Sequence, residues 1–221
     1  MFQRLLDQIE LRVGRYRGIR NLINIIIAAT AAVYVADLFA PTLGFYLSGY
    51  LAFDRAAILR GQIWRLVTFV ITPPNTSMLF IVMQLLFIHF TGQMLQRHWG
   101  TLRFNLFYFT GMIGSLIAGL ITGYATSYYV NLSMFLAVAI LYPTMQVNFY
   151  GIFPIRMKWL ALIDLLFLLP GLINGTWGER IAIIVSLANV ALFFYDRFIR
   201  GIKEAKRRYE WKKSWRTGNW R

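Results

Sequence analysis

Long apolar blocks constrain this chain more than any other feature of its sequence. Crossing ~30 Å of hydrocarbon takes roughly 20 residues of helix, and a backbone in lipid must satisfy its polar groups internally. Six blocks approach that length: Leu22 to Phe39, Met78 to Leu95, Phe104 to Thr122, Tyr129 to Tyr142, Trp159 to Ile173 and Ile181 to Tyr195. The fourth is conspicuously short, and by hydropathy alone it reads equally as a re-entrant segment. With 58% of its residues hydrophobic, the chain is too apolar for a soluble domain. The expected fold is an all-α, six-helix membrane protein, with residues 1–20 as an N-terminal arm, 21–197 as the membrane domain and 198–221 as a tail.

Charge supplies an independent expectation for topology, because Lys and Arg concentrate on the cytoplasmic side. Six spans put both termini on one side. Nineteen of the 23 basic residues then share a face, leaving Arg55, Arg60, Arg65 and Arg180 opposite. The expectation is N-in, C-in. The first twenty residues form a charged arm rather than a short signal-peptide n-region, and the first apolar block is long enough to remain as a span. The chain is therefore expected to be full length. With no cysteine and only two histidines, disulfides and thiolate metal sites are excluded, a zinc site is disfavoured, and no cofactor is expected.

Local patterns refine this picture. Phe2, Leu5, Ile9 and Val13 recur at helical spacing among Arg and Gln, the pattern of an interfacial helix. Asn21, Asn24 and Asp37 read as polar caps on the first span. Gly111, Ser115, Gly119 and Gly123 recur every four residues in the third block, leaving one face nearly bare for close backbone approach, within the bundle or against a partner. The stretch from Arg197 onward carries ten basic residues against Glu204 and Glu210, interleaved with aromatics. Its Lys206, Arg207, Arg208, Trp211, Lys212, Lys213 and Trp215 suit anionic headgroups first, an acidic protein surface second and nucleic acid last.

Several short motifs occur in a telling order. Trp64-Arg65 lies within Gly61-Gln-Ile-Trp-Arg-Leu-Val-Thr68, in an aromatic loop ahead of Pro73-Pro74 and a long apolar helix. Gly92 and Gly100 bracket Gln96, and Phe153-Pro-Ile-Arg-Met-Lys-Trp-Leu160 leads into the fifth block. Over residues 45 to 165 this order resembles the rhomboid superfamily of intramembrane proteases and derlins. The resemblance implies a six-helix rhomboid-like bundle with a half-buried first loop held by the Trp-Arg pair. Physically, Arg65 would fork onto backbone carbonyls while Trp64 anchors at the interface. Taken alone, the pair reads as an interfacial Trp beside a snorkelling Arg.

The catalytic residues do not follow the scaffold. The resemblance implies a serine in a Gly-x-Ser-Gly motif at the top of span four and a histidine base in span six, since a hydroxyl attacks poorly until a base takes its proton. Here the motif falls on Asn131-Leu132-Ser133-Met134, both glycines lost, and the base position falls on Ala182. Phe80 and Gln84 stand where the resemblance implies an oxyanion-side His and Asn. His89 lies about twelve residues below the outer surface and Ser133 about four, a ~12 Å difference in depth that rules out a direct dyad. Ser133 is expected to be a small polar residue at a helix interface.

Asp164, an acid inside span five, is the clearest functional residue by its position. A pairing of His89 with Asp164 across the gap between spans two and five is the specific expectation, against an Asp164 satisfied by hydroxyls or water. The expected function is a catalytically inactive, derlin-like rhomboid homologue in a bacterial cytoplasmic membrane, binding transmembrane segments of other proteins without cleaving them. The alternatives are a permanent accessory subunit of a larger membrane complex, docked through span three and the tail, and a residual serine protease using Ser133.

Overall fold

The computed structural model describes residues 7, 8, 10–12, 14, 18–74, 77–123, 125–149 and 153–217. Phe2, Leu5, Ile9 and Val13 of the expected arm helix lie outside them. The chain is mostly helical. Helix α1 covers Leu22–Leu38, followed by three short helices, α2 (Ala40–Leu43), α3 (Leu47–Leu51) and α4 (Arg55–Leu59). A one-turn helix α5 (Arg65–Thr68) runs into a 3-10 turn, Phe69–Ile71. The long helices α6 (Met78–Trp99) and α7 (Thr101–Thr122) meet at Gly100, whose φ of 82° makes the tight reversal possible. Then come α8 (Ser127–Leu141), a hairpin of β1 (Gln146–Phe149) and β2 (Phe153–Arg156), α9 (Met157–Ile173) and α10 (Trp177–Thr217). The hairpin is antiparallel, with Val147 opposite Ile155.

Each apolar block of the sequence lies on one of the long helices α1, α6, α7, α8, α9 and α10. Three segments are long and apolar enough to cross a membrane by length and composition: Met78–Trp99, Thr101–Thr122 and Trp177–Tyr195. Helices α1 and α8 are apolar but shorter. This is the composition of an all-α membrane protein.

The shortest of the six is the most buried. Apolar residues surround α8 on every side, and such a helix is stable only where neighbours cover it all round. It packs on α6, α7, α9 and α10, and apart from Asn131 every residue from Tyr129 to Ala139 is buried. A continuous helix at the centre of the bundle replaces the re-entrant alternative for this block. Its shortness needs no match to lipid, because protein surrounds it.

The most extensive helix pairing is α7 against α10, and small residues explain it. A Cβ on Gly111 would meet the Asn189 amide nitrogen at 2.9 Å, and one on Gly114 would meet Val185 at 2.7 Å. On Gly119 it would strike Ala125 and the Phe53 ring, at 2.6 and 2.9 Å. Gly111, buried Ser115 and Gly119 are therefore packing positions used inside the chain, which leaves that face closed to a second protein. Gly123 is a correction to the expected stripe. Its φ is 84° with nothing within 4 Å, so it ends α7 in the left-handed conformation rather than packing.

One end of the bundle gathers the basic segments. Arg103, at the start of α7, contacts Asp7 at 2.7 Å and Glu10 at 3.3 Å, holding the arm there. At the same end His98 meets the Tyr142 hydroxyl at 3.1 Å. Trp99 packs against Phe193 and Phe194, where α10 leaves the apolar bundle. Asn21 adopts a φ of 57°, a left-handed conformation that Asn tolerates, rather than capping α1 through its side chain. Asp37 binds across the loop, with Ser48 donating its backbone N–H to both carboxylate oxygens at 3.2 and 3.3 Å.

Candidate functional site: a cavity above the central helix

The loop that roofs the bundle is built around one buried cation. Arg65 is 7% exposed and donates to the Gly49 and Ala52 carbonyls at 2.8 and 2.7 Å and to the Gln62 side-chain oxygen at 2.7 Å. Thr68 donates to the Leu51 carbonyl at 2.8 Å, and the exposed Trp64 indole to the Tyr50 carbonyl at 3.2 Å. Carbonyls orphaned at the end of short α3 thus find donors two helices later, at α5. The guanidinium fork suits this task, reaching two carbonyls while its Nε serves a third group. At the other edge Phe53 stacks edge-on against Phe69 and over Gly119, tying the roof to α7.

Beneath the roof lies a cavity of about 470 Å³. Thr126 starts its floor, accepting the Tyr128 N–H as the N-cap of α8 at 3.4 Å. Phe87, Ile88, Leu132 and Phe135 give apolar walls, while Gln84, Tyr128, Asn131 and Asp164 supply polar groups. Helices α6 and α9 each pack on α8 but little on one another, so the cavity has no continuous wall between them. Leu162, Leu165 and Leu166 on α9 and Leu79, Val82 and Leu86 on α6 remain exposed.

Asp164 faces this cavity half-buried, close enough to Tyr128 for the two to interact electrostatically. No described residue hydrogen-bonds it. His89 is not its partner: the imidazole Nδ1 lies 3.0 Å from the Asn24 side-chain oxygen, joining α6 to α1. The expected His89–Asp164 pair is thereby corrected, and so is the reading of Asn24 as a cap. Residue 89 sits on the side of α6 turned toward α1, two positions from Phe87 and hence on a different helix face.

Ser133 is 1% exposed. Its hydroxyl donates to the Val130 carbonyl at 2.7 Å and accepts the Asn189 amide at 3.4 Å. Asn189 also donates to the Phe107 carbonyl at 3.3 Å and accepts from Thr110 at 2.9 Å. One amide therefore knits α7, α8 and α10 together. The sequence reading passed over Asn189, although its signal was available: an amide inside an apolar block is seldom left without a task.

The pairing of α8 with α10 also revises the expected placement of residue 182 beside Ser133. Ser186 donates to the Tyr129 carbonyl at 2.9 Å and Asn189 reaches Ser133, so the two helices run parallel in that register. One turn earlier, that register sets buried Ala182 level with Ala125 and Thr126, at the start of α8, rather than with Ser133. Ser127, which lines the cavity, is the serine at the top of α8. The cue was Thr126-Ser127, a helix-start pair just before the apolar run. Neither histidine lines the cavity. Gln84 does, whereas Phe80 is 57% exposed on the first turn of α6.

The basic tail is no separate unit. Helix α10 runs unbroken for 41 residues through the expected boundary at 197, about 60 Å at ~1.5 Å per residue. Trp211 and Trp215 stack edge-on at 5.2 Å, and Lys206–Glu210 and Arg208–Glu204 lie 3.9 and 3.8 Å apart on exposed faces. Lys206, Arg207 and Arg208 are exposed, and the side chains of Lys212 and Lys213 lie outside the described residues. Among the described residues no group of His, Cys, Asp and Glu has the arrangement of a metal site. No protein-family model matches the chain, and no curated protein matches it.

Proposed function

We propose that this chain is a rhomboid-like membrane protein without a catalytic dyad, whose cavity receives a transmembrane segment of another protein and leaves it uncut. The observation that carries the reading is the cavity itself. It sits between α6, α8 and α9, has apolar walls, and has little packing between α6 and α9 on its lateral side. A helix arriving from lipid would replace lipid contacts with protein contacts there, the driving force available for association inside a bilayer. The serines near the cavity have no histidine beside them, so reception without cleavage is the chemistry these residues support. Six spans with both termini cytoplasmic, in a bacterial cytoplasmic membrane, complete the proposal; the gathering of basic segments at one end supports that orientation.

Two experiments test it. Because the chain has no cysteine, single cysteines introduced at residues 44 and 175 should react with an impermeant maleimide from outside, and one at 102 only after permeabilisation. A photoreactive residue at Phe87 should crosslink in native membranes to transmembrane segments of several proteins, whereas one at Ile117 on α7 should not. Crosslinks to lipid alone at both positions would remove the reading. A single partner in fixed stoichiometry would replace it with the accessory-subunit alternative.

A further inference from the structure

The cavity holds one acidic group and, among its described lining residues, no cation to match it. Asp164 brings a carboxylate that no described residue hydrogen-bonds, and the Asn131 side-chain oxygen is buried without a hydrogen-bond partner. Among the described residues the lining includes no Lys, Arg or His. Two of the hydroxyls that line the same space are committed, Thr91 to the Phe87 and Ile88 carbonyls and Thr72 to the Thr68 carbonyl, and the donors that remain, among them those on Gln84, Ser127, Tyr128 and Asn131, are all neutral. An isolated carboxylate and an orphan amide oxygen are both costly away from water, and one cationic donor would relieve both.

We infer that the cavity selects transmembrane segments carrying a basic residue, whose ammonium or guanidinium group sits between Asp164 and Asn131. This rests on the reading of the cavity as a helix-receiving site and names the class of segment received. A bare divalent ion fits poorly, since one carboxylate is far short of the oxygen cage that such ions require. The volume also exceeds what an ion needs. Lys or Arg brings an aliphatic stem as well, which Phe87, Leu132 and Phe135 can cover while the charged head reaches the acceptors. Such a residue is expensive in lipid, so a segment carrying one gains more from entering the cavity than a wholly apolar segment does. The preference is electrostatic in origin, set by one side chain.

The test uses the full chain in lipid nanodiscs with a photoreactive residue at Phe87, offered synthetic Leu-Ala single-span helices that differ only in Lys or Leu at one position in the outer half. The Lys helix should be captured about tenfold more, the ratio that about 1.4 kcal/mol of differential binding produces. Asp164→Asn should abolish the preference while the variant stays monodisperse in mild detergent, which shows that it is folded, and Asp164→Glu should restore it. Equal capture of both helices by the parent protein, or a preference that survives Asp164→Asn, overturns this inference and leaves helix reception standing. Capture of neither helix overturns both.

Discussion

Two polar clusters lie against the same central helix, and they are opposites. Around Ser133 every polar group is matched: Thr110, Asn189 and Ser133 pass hydrogen bonds among α7, α10 and α8 in a buried setting. Beside the cavity, Asn131 leaves its oxygen without a partner and Asp164 receives no hydrogen bond from a described residue. The first arrangement holds helices together. The second leaves acceptors that an incoming donor would match. The difference teaches that a serine deep in such a bundle, however suggestive its neighbours in sequence, can belong wholly to the architecture.

The comparison can be broken by mutation. The largest loss of stability should come from Gly111→Leu, which forces side-chain atoms into the space held by Asn189 and separates α7 from α10; at least about 3 kcal/mol is expected, read as lost monodispersity in mild detergent. Arg65→Ala should follow at about 3 kcal/mol by thermal unfolding, since it strips donors from the Gly49 and Ala52 carbonyls. Asn189→Ala should cost about 2 kcal/mol because it removes the hydrogen bonds that tie α10 to α7 and α8. Ser133→Ala should cost only about 1 kcal/mol, leave helix capture at Phe87 unchanged, and show that the parent serine is unreactive toward a fluorophosphonate. Smallest in stability is Asp164→Asn, within about 0.5 kcal/mol of the parent, yet it alone should remove the preference for a basic helix. Were Asp164→Asn to unfold the protein, the two clusters would be the same kind of object.

The helices were legible in the sequence because their apolar blocks are long, and a long block specifies a helix wherever backbone groups cannot reach water. Arg65 was legible only together with the neighbouring motifs, since taken alone it reads as a snorkelling arginine. The candidate site was only half legible. Asp164 and Gln84 stood out and both line the cavity, while His89 was assigned to the wrong partner and Ser127 was missed. Those misses share a cause. Hydropathy says that a segment is helical and how apolar it is, but the rotation of α6 toward α1, and the register of α10 along α8, arise from contacts between residues 57 to 65 positions apart.

By itself the sequence determined an all-α membrane protein, the helical blocks, a basic end and the lack of any histidine in the last apolar block. These follow from composition and periodicity, which act locally along the chain. Tertiary structure alone decided that the shortest block is the core, that Asn189 ties three helices, and that Asp164 and Asn131 meet at one cavity. Such facts depend on how closely helices approach, and that distance is set by small residues such as Gly111 and Gly114 meeting side chains far away in sequence.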